Sequence, residues 1–132
     1  SGRARAIGVS NFMPEHLRPI LNACTVAPHV NQISFYAGHI QRACVSFCEE
    51  KNITVEAYAP LATGAVFKQP LVHTLAAKNG VTAQLCIRYC LQKGHPAIPK
   101  STHKERLAEN ARLSFDIPAE DMQALDALDP VQ

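Results

Sequence analysis

Ile98-Pro99-Lys100-Ser101-Thr102-His103-Lys104-Glu105-Arg106-Leu107-Ala108-Glu109-Asn110 gathers residue types that hold an anion. A short apolar run gives way to Lys100 and Arg106, two cations that bracket an expected helix start, because Thr102 followed by Glu105 fits a capping box. Free backbone N–H groups at the positive end of a helix, the Ser101 hydroxyl and the forked guanidinium of Arg106 suit a phosphate. Glu109 and Asn110 follow Arg106 at i+3 and i+4, on its own face, where they could hydrogen-bond whatever the phosphate carries. A nucleotide fits that description. A capped surface helix with scattered charge fits the same spacing, since capping boxes are common.

The elements that must position this stretch follow from periodicity. Arg5-Ala6-Ile7-Gly8-Val9 reads as a buried strand that stops at Ser10 and Asn11, and Pro14 then starts a helix with Leu17, Ile20 and Leu21 inward, ending near Cys24. Val30-Asn31-Gln32-Ile33 is a second strand. Ile40, Cys44, Phe47 and Cys48 make the apolar stripe of a helix running to about Lys51, and Ile53 to Tyr58 is a third strand ended by Pro60. Ala62-Thr63-Gly64 and Gln69-Pro70 mark an irregular connection, and a helical stretch from Leu71 to Ala77 closes at Asn79-Gly80. Thr82 is expected to cap a helix that buries Ala83, Cys86, Ile87, Cys90 and Leu91. Ala97-Ile98 is a very short fourth strand, and the helix after it is expected to turn Leu107 and Ala111 inward. Pro118 opens a last helix with Met122, Leu125 and Leu128 as its stripe.

Strands alternating with helices imply right-handed crossovers and a parallel sheet, hence an α/β fold. Ligands gather at the carboxyl ends of such strands, and Ser10, Asn11, Gln32, Tyr58, Lys100 and Ser101 all fall there. Gln32 could equally be a core polar group satisfied by a neighbour. No glycine-rich dinucleotide fingerprint follows the first strand, which disfavours a Rossmann domain.

The 132 residues are 47% hydrophobic and 18% charged, an ordinary composition for one globular domain. A formal net charge of +2, with dispersed basic residues, gives no support to a nucleic-acid or membrane-surface partner, so any anion site is local. With no signal peptide, lipidation motif or long apolar run in the sequence, the chain reads as cytoplasmic. The cysteines, Cys24, Cys44, Cys48, Cys86 and Cys90, are odd in number and lack the closed pairs of a zinc site, so buried reduced thiols are expected rather than metal ligands or a disulfide framework.

Two longer motifs, Arg5-Ala6-Ile7-Gly8-Val9-Ser10-Asn11-Phe12 and Ile98-Pro99-Lys100-Ser101 continued by Arg106, Glu109, Asn110 and Leu113, resemble the aldo-keto reductases. Val30-Asn31-Gln32-Ile33 and Glu56-Ala57-Tyr58 with Pro60-Leu61 support the match, which covers essentially the whole chain in the family's order. The resemblance implies a partial (β/α)8 TIM barrel, with residues 1–132 as its C-terminal half: four strand-helix units plus a terminal helix. It also implies NADP(H) as cofactor and a small-molecule carbonyl as substrate of the full enzyme. By resemblance, Ser10, Asn11 and Gln32 would hold the nicotinamide carboxamide and Tyr58 would stack on the ring. Leu61 and Thr63 match the loop over the pyrophosphate. Lys100, Ser101 and Arg106 would grip the 2′-phosphate, and Glu109 and Asn110 the adenine.

The departures bear on activity. The family's catalytic Tyr, with its Lys, Asp and His, belongs to the first half of the barrel, and no residue here matches them, so no catalytic residue is assigned. General acid catalysis contributes roughly 10²–10⁴-fold, and the isolated chain is expected to be inactive. Ser34-Phe35-Tyr36-Ala37 stands where the family commonly has Glu-Tyr-His-Pro, and Ala59 replaces a frequent Ser. The alternative reading is a non-catalytic half-barrel that binds nucleotide or assembles with a partner half, by self-association or with a first half.

Overall fold

The computed structural model describes residues 2–79 and 82–129. Four parallel strands form one sheet: β1 (Gly8–Ser10), β2 (Val30–Ser34), β3 (Thr54–Tyr58) and β4 (Ala97–Ile98), side by side in sequence order. Residues alternate between the two faces of a strand. Asn31, Ile33, Val55 and Ala57 are therefore buried, while Gln32, Ser34, Glu56 and Tyr58 fall on the other, half-exposed face.

Helices cover the buried face. The first, α1 (Pro14–Ala23), begins at a proline, whose missing N–H costs nothing in a first turn, and buries Leu17. Next, α2 (Arg42–Glu50) buries Cys44, Val45, Phe47 and Cys48, the expected stripe. The third connection departs from simple alternation. It holds a 3-10 segment (Ala62–Lys68), broken by left-handed Thr63 and Gly64, then α3 (Pro70–Asn79) and α4 (Ala83–Gln92). The expected Gly80 stop lies outside the described residues. After β4 come α5 (Lys104–Asn110) and α6 (Ala119–Asp126).

The core joins Leu17, Ile33, Val55, Leu85, Tyr89 and Leu125, each at most 3% exposed. Burying each large apolar side chain stabilises the fold by about 1.5–3 kcal/mol relative to leaving it in water. The Phe35 ring stacks on Tyr89 at 6.0 Å and meets His95 edge-on at 4.7 Å, so residues after β2 lock onto α4. Where this loop meets the chain after α6, only glycine fits. Gly38 has φ +90, and a Cβ there would lie 2.7 Å from the Asp129 carbonyl oxygen.

Several local expectations fail. The first strand is Gly8–Ser10 rather than a buried run from Arg5, with Arg5, Ala6 and Ile7 exposed and Val9 only half-buried, because it is an edge strand. Thr82 precedes α4 with helical dihedrals and makes no side-chain cap bond, because an N-cap needs an extended backbone to aim its oxygen at the first turn. Thr102 does not cap α5 either. His103 takes the N-cap position, and the Ser101 Oγ accepts the His103 backbone N–H at 3.1 Å, closing a turn one residue later than the motif suggests. Leu107 is 50% exposed and Ala111 is also exposed, since Asn110 is the buried residue of α5. No described helix is long and apolar enough to cross a membrane.

Candidate functional site

Polar side chains meet in a row across the carboxyl ends of β1, β2 and β3. The register sets Ser10 beside Gln32 and Gln32 beside Glu56. Ser10 Oγ donates to the Gln32 carbonyl at 3.0 Å, and Gln32 Nε2 donates to Glu56 Oε1 at 2.7 Å. Asn11 turns the chain just after β1 in the left-handed region, φ 57, a conformation asparagine tolerates. Its backbone N–H reaches the Gln32 carbonyl at 2.9 Å, and its Oδ1 accepts the Tyr58 hydroxyl at 3.0 Å. One acceptor and one donor are thus committed, leaving Asn11 Nδ2 to donate and Gln32 Oε1 to accept.

A residue singled out only as part of a motif holds this row in place. Asn31 is fully buried. Its Nδ2 donates to the Phe12 carbonyl at 2.7 Å while its Oδ1 accepts the Phe12 N–H at 3.4 Å, so both backbone groups of the residue after Asn11 are tied to β2. Nδ2 also lies 3.7 and 3.6 Å from the Cys44 and Cys48 sulfurs. A polar residue inside an otherwise buried strand is the signal that marks it, since such a group must find partners.

The same end of the sheet opens into a cleft of about 830 Å³. Leu61, after β3, forms one part of its wall, and Lys100, Ser101, Arg106, Glu109 and Asn110, after β4, form another. Phe67 adds an aromatic surface and Arg112 a third cation that the sequence pattern did not single out. Lys100, Arg106 and Arg112 form no ion pair among the described residues, and Glu109 is the one carboxylate beside these three cations in the cleft wall. Thr63 is not brought in. It is exposed at φ 52, and its hydroxyl donates to the Ala62 carbonyl at 2.7 Å.

None of the thiols belongs to the row or the cleft, although Cys44 and Cys48 back Asn31. Burial pushes the Cys44 thiol up to about 12, with the neighbouring Cys48 adding to the shift, and burial alone takes Cys86 to about 12. These sulfurs stay protonated at neutral pH and behave as small apolar groups.

Comparison with known proteins shows the family to which this fold belongs. The Aldo/keto reductase family model matches residues 1–130. The chain belongs to this family. It is 43% identical to an uncharacterised oxidoreductase of Schizosaccharomyces pombe over 97% of the chain and 48% of that protein. It is 38% identical to the glyoxal reductase of Bacillus subtilis over 96% of the chain and 47% of that protein. Among solved structures, a Gox0644 mutant in complex with NADPH superposes with a TM-score of 0.92 at 43% identity, over 97% of this chain and 48% of that one. An aldo-keto reductase from a Medee basin deep-sea metagenome library gives 0.93 at 29% identity, over 99% and 50%. The aldo/keto reductase chain thus spans about half the length of the relatives it matches, and its four parallel strands correspond to part of their barrel.

Proposed function

We propose that residues 1–132 are the C-terminal half of an aldo-keto reductase barrel domain that holds NADP(H) and serves reduction of a small carbonyl compound. The observation that carries this reading is the cleft in which Lys100, Arg106 and Arg112 stand unpaired beside Ser101, Glu109 and Asn110. Three cations to one carboxylate around one concavity suit a phosphate-bearing ligand, and a guanidinium matches phosphate with two parallel N–H donors. The strand-end row fits the other end of the cofactor: a free amide donor on Asn11 and a free acceptor on Gln32 complement the oxygen and the NH₂ of a carboxamide.

Bound NADPH would supply the hydride. This chain's residues would supply position: Ser10, Asn11 and Gln32 on the carboxamide, Tyr58 against the ring, Leu61 along the pyrophosphate, Lys100, Ser101 and Arg106 on the 2′-phosphate, and Glu109 with Asn110 on the adenine. Tyr58 is held for this by its bond to Asn11. None of these groups is assigned the proton transfer to the carbonyl oxygen, which a general acid must perform. The isolated chain is accordingly expected to show no aldehyde reduction above background. The open edges at β1 and β4 favour one further reading, a half-barrel that acts only by assembling with a partner half.

The experiment is titration of NADPH and NADH against wild type and Arg106→Ala. A charge-assisted hydrogen bond contributes about 1.5–3 kcal/mol, so NADPH binding should weaken roughly ten- to a hundredfold while NADH binding is unchanged. Arg106→Lys should recover only part of the loss. Equal losses for the two cofactors would mean that Arg106 supports α5 rather than a phosphate.

A further inference from the structure

The Gln32–Glu56 pair has a polarity that the rest of the row lacks. An ionised carboxylate only accepts hydrogen bonds. The end of Gln32 that meets Glu56 at 2.7 Å is therefore its Nε2, and Oε1 is the end left over. A glutamine without such a neighbour turns its amide over at little cost, because the terminal torsion is broad and roughly two-fold. With Glu56 opposite in the strand register, turning over would set Oε1 against a carboxylate, two acceptors with no proton between them. The charged partner also strengthens the bond it makes.

Resting on the cofactor reading above, we infer that Glu56 is a positioning residue that orients Gln32, so that the site accepts a ligand N–H at Oε1 and thereby selects a primary carboxamide. Glu56 itself touches no ligand. It acts through Gln32, and the discrimination it imposes is between a carboxamide and a group of the same shape that carries a carbonyl without an N–H. Hydrogen-bond sites reject analogues that leave a partner unpaired.

The probe is the 3-acetylpyridine analogue of the NADP cofactor, in which a methyl replaces the carboxamide NH₂ and the carbonyl oxygen is kept. Its affinity and that of NADP are measured by calorimetric titration of the chain. Wild type should bind the analogue roughly tenfold more weakly. In Glu56→Gln the partner can itself donate, Gln32 is free to turn over, and the gap should shrink to about twofold. Glu56→Thr, whose β-branched side chain suits a strand, provides a second variant with the same expectation should the first fail to fold. In a Gln32→Ala chain, adding Glu56→Gln should change the ratio no further, since coupled residues are non-additive and independent ones are not. Wild type and both Glu56 variants discriminating equally would overturn the inference and leave the cofactor reading standing. Failure of wild type to bind either compound would overturn both.

Discussion

Tyr89 on α4 donates its hydroxyl to Asp126 Oδ1 on α6 across 2.6 Å, although the Tyr89 ring is buried in the core. Lys93 Nζ occupies the other carboxylate oxygen at 2.8 Å, and Arg42 Nη2 donates to the Asp126 carbonyl at 2.9 Å. One residue at the end of α6 thus ties that helix to α4 and to the start of α2. Asp126→Ala would leave the Tyr89 hydroxyl without its acceptor, a cost of about 1–3 kcal/mol. Urea unfolding should show that loss, whereas Asp116→Ala, which removes the exposed partner of Arg88, should change stability by about 1 kcal/mol or less.

Asp126 also sets an acid dependence. Burial pushes its carboxyl up, but the hydrogen bonds from Lys93 and Tyr89 and the charges of Lys93 and Arg42 outweigh this and hold it below the ordinary 3.8. A folded value below the unfolded one adds stability above 3.8 that is lost as pH falls through the folded value. The stability gap between wild type and Asp126→Ala should hold steady from neutral pH down to about 3.8 and shrink between there and the lower folded value. An earlier decline belongs to His95, whose burial lowers its pKa below 6.5, so acidification must charge an imidazole set against Phe35. Urea midpoints collected across the acid range measure both.

Native-state alkylation should find one reactive thiol. Cys24 is partly exposed at the end of α1, while Cys44, Cys48, Cys86 and Cys90 are buried. Iodoacetamide followed by mass spectrometry should give a single adduct on Cys24 at neutral pH, with the rest modified only in denaturant. Rapid labelling of Cys86 in the native state would contradict its burial.

Self-association is expected of the purified chain. Its sheet ends at β1 and β4, with Ile7 beside one edge 48% exposed and Ile98 on the other 44% exposed. Unpaired strand edges flanked by apolar side chains recruit further strands. Light scattering should report species larger than a monomer, with a melting temperature that rises with concentration; a monomer melting independently of concentration would contradict this.

Much of this architecture was legible in the sequence because apolar spacing reports burial directly. Leu17, Cys44, Phe47, Cys86 and Leu125 lie inward as their periodicity predicts, and the two-residue β4 was visible as Ala97-Ile98. Capping was read less well. Thr82 and Thr102 carry suitable side chains, but the backbone around them chooses helical dihedrals at one and a Ser101-closed turn at the other, and residue type alone does not reveal φ and ψ. Leu107 misled for a related reason, since an apolar residue at helical spacing says nothing about how far a short helix stands from its neighbours. Of the candidate site, Ser10, Asn11, Gln32 and Tyr58 meet in one row and Lys100, Ser101 and Arg106 line one cleft, but the row is not part of the cleft wall. Arg112 and the carboxylate partner of Gln32 were not singled out, because pairing across strands depends on register, which local patterns leave open.

Spatial order that repeats chain order has a consequence for how the sheet is made. Each strand lies beside the one synthesised just before it, so pairing can advance from β1 toward β4 as the chain lengthens, with no strand waiting for a later one to be inserted between. The step from Ala57 to Ala97 differs in kind, because the 3-10 segment, α3 and α4 must settle before two residues of β4 can dock. Closing a longer loop for a smaller reward makes that addition the slowest. The cations of the cleft follow β4, so the cationic wall would take its shape only after β4 has docked.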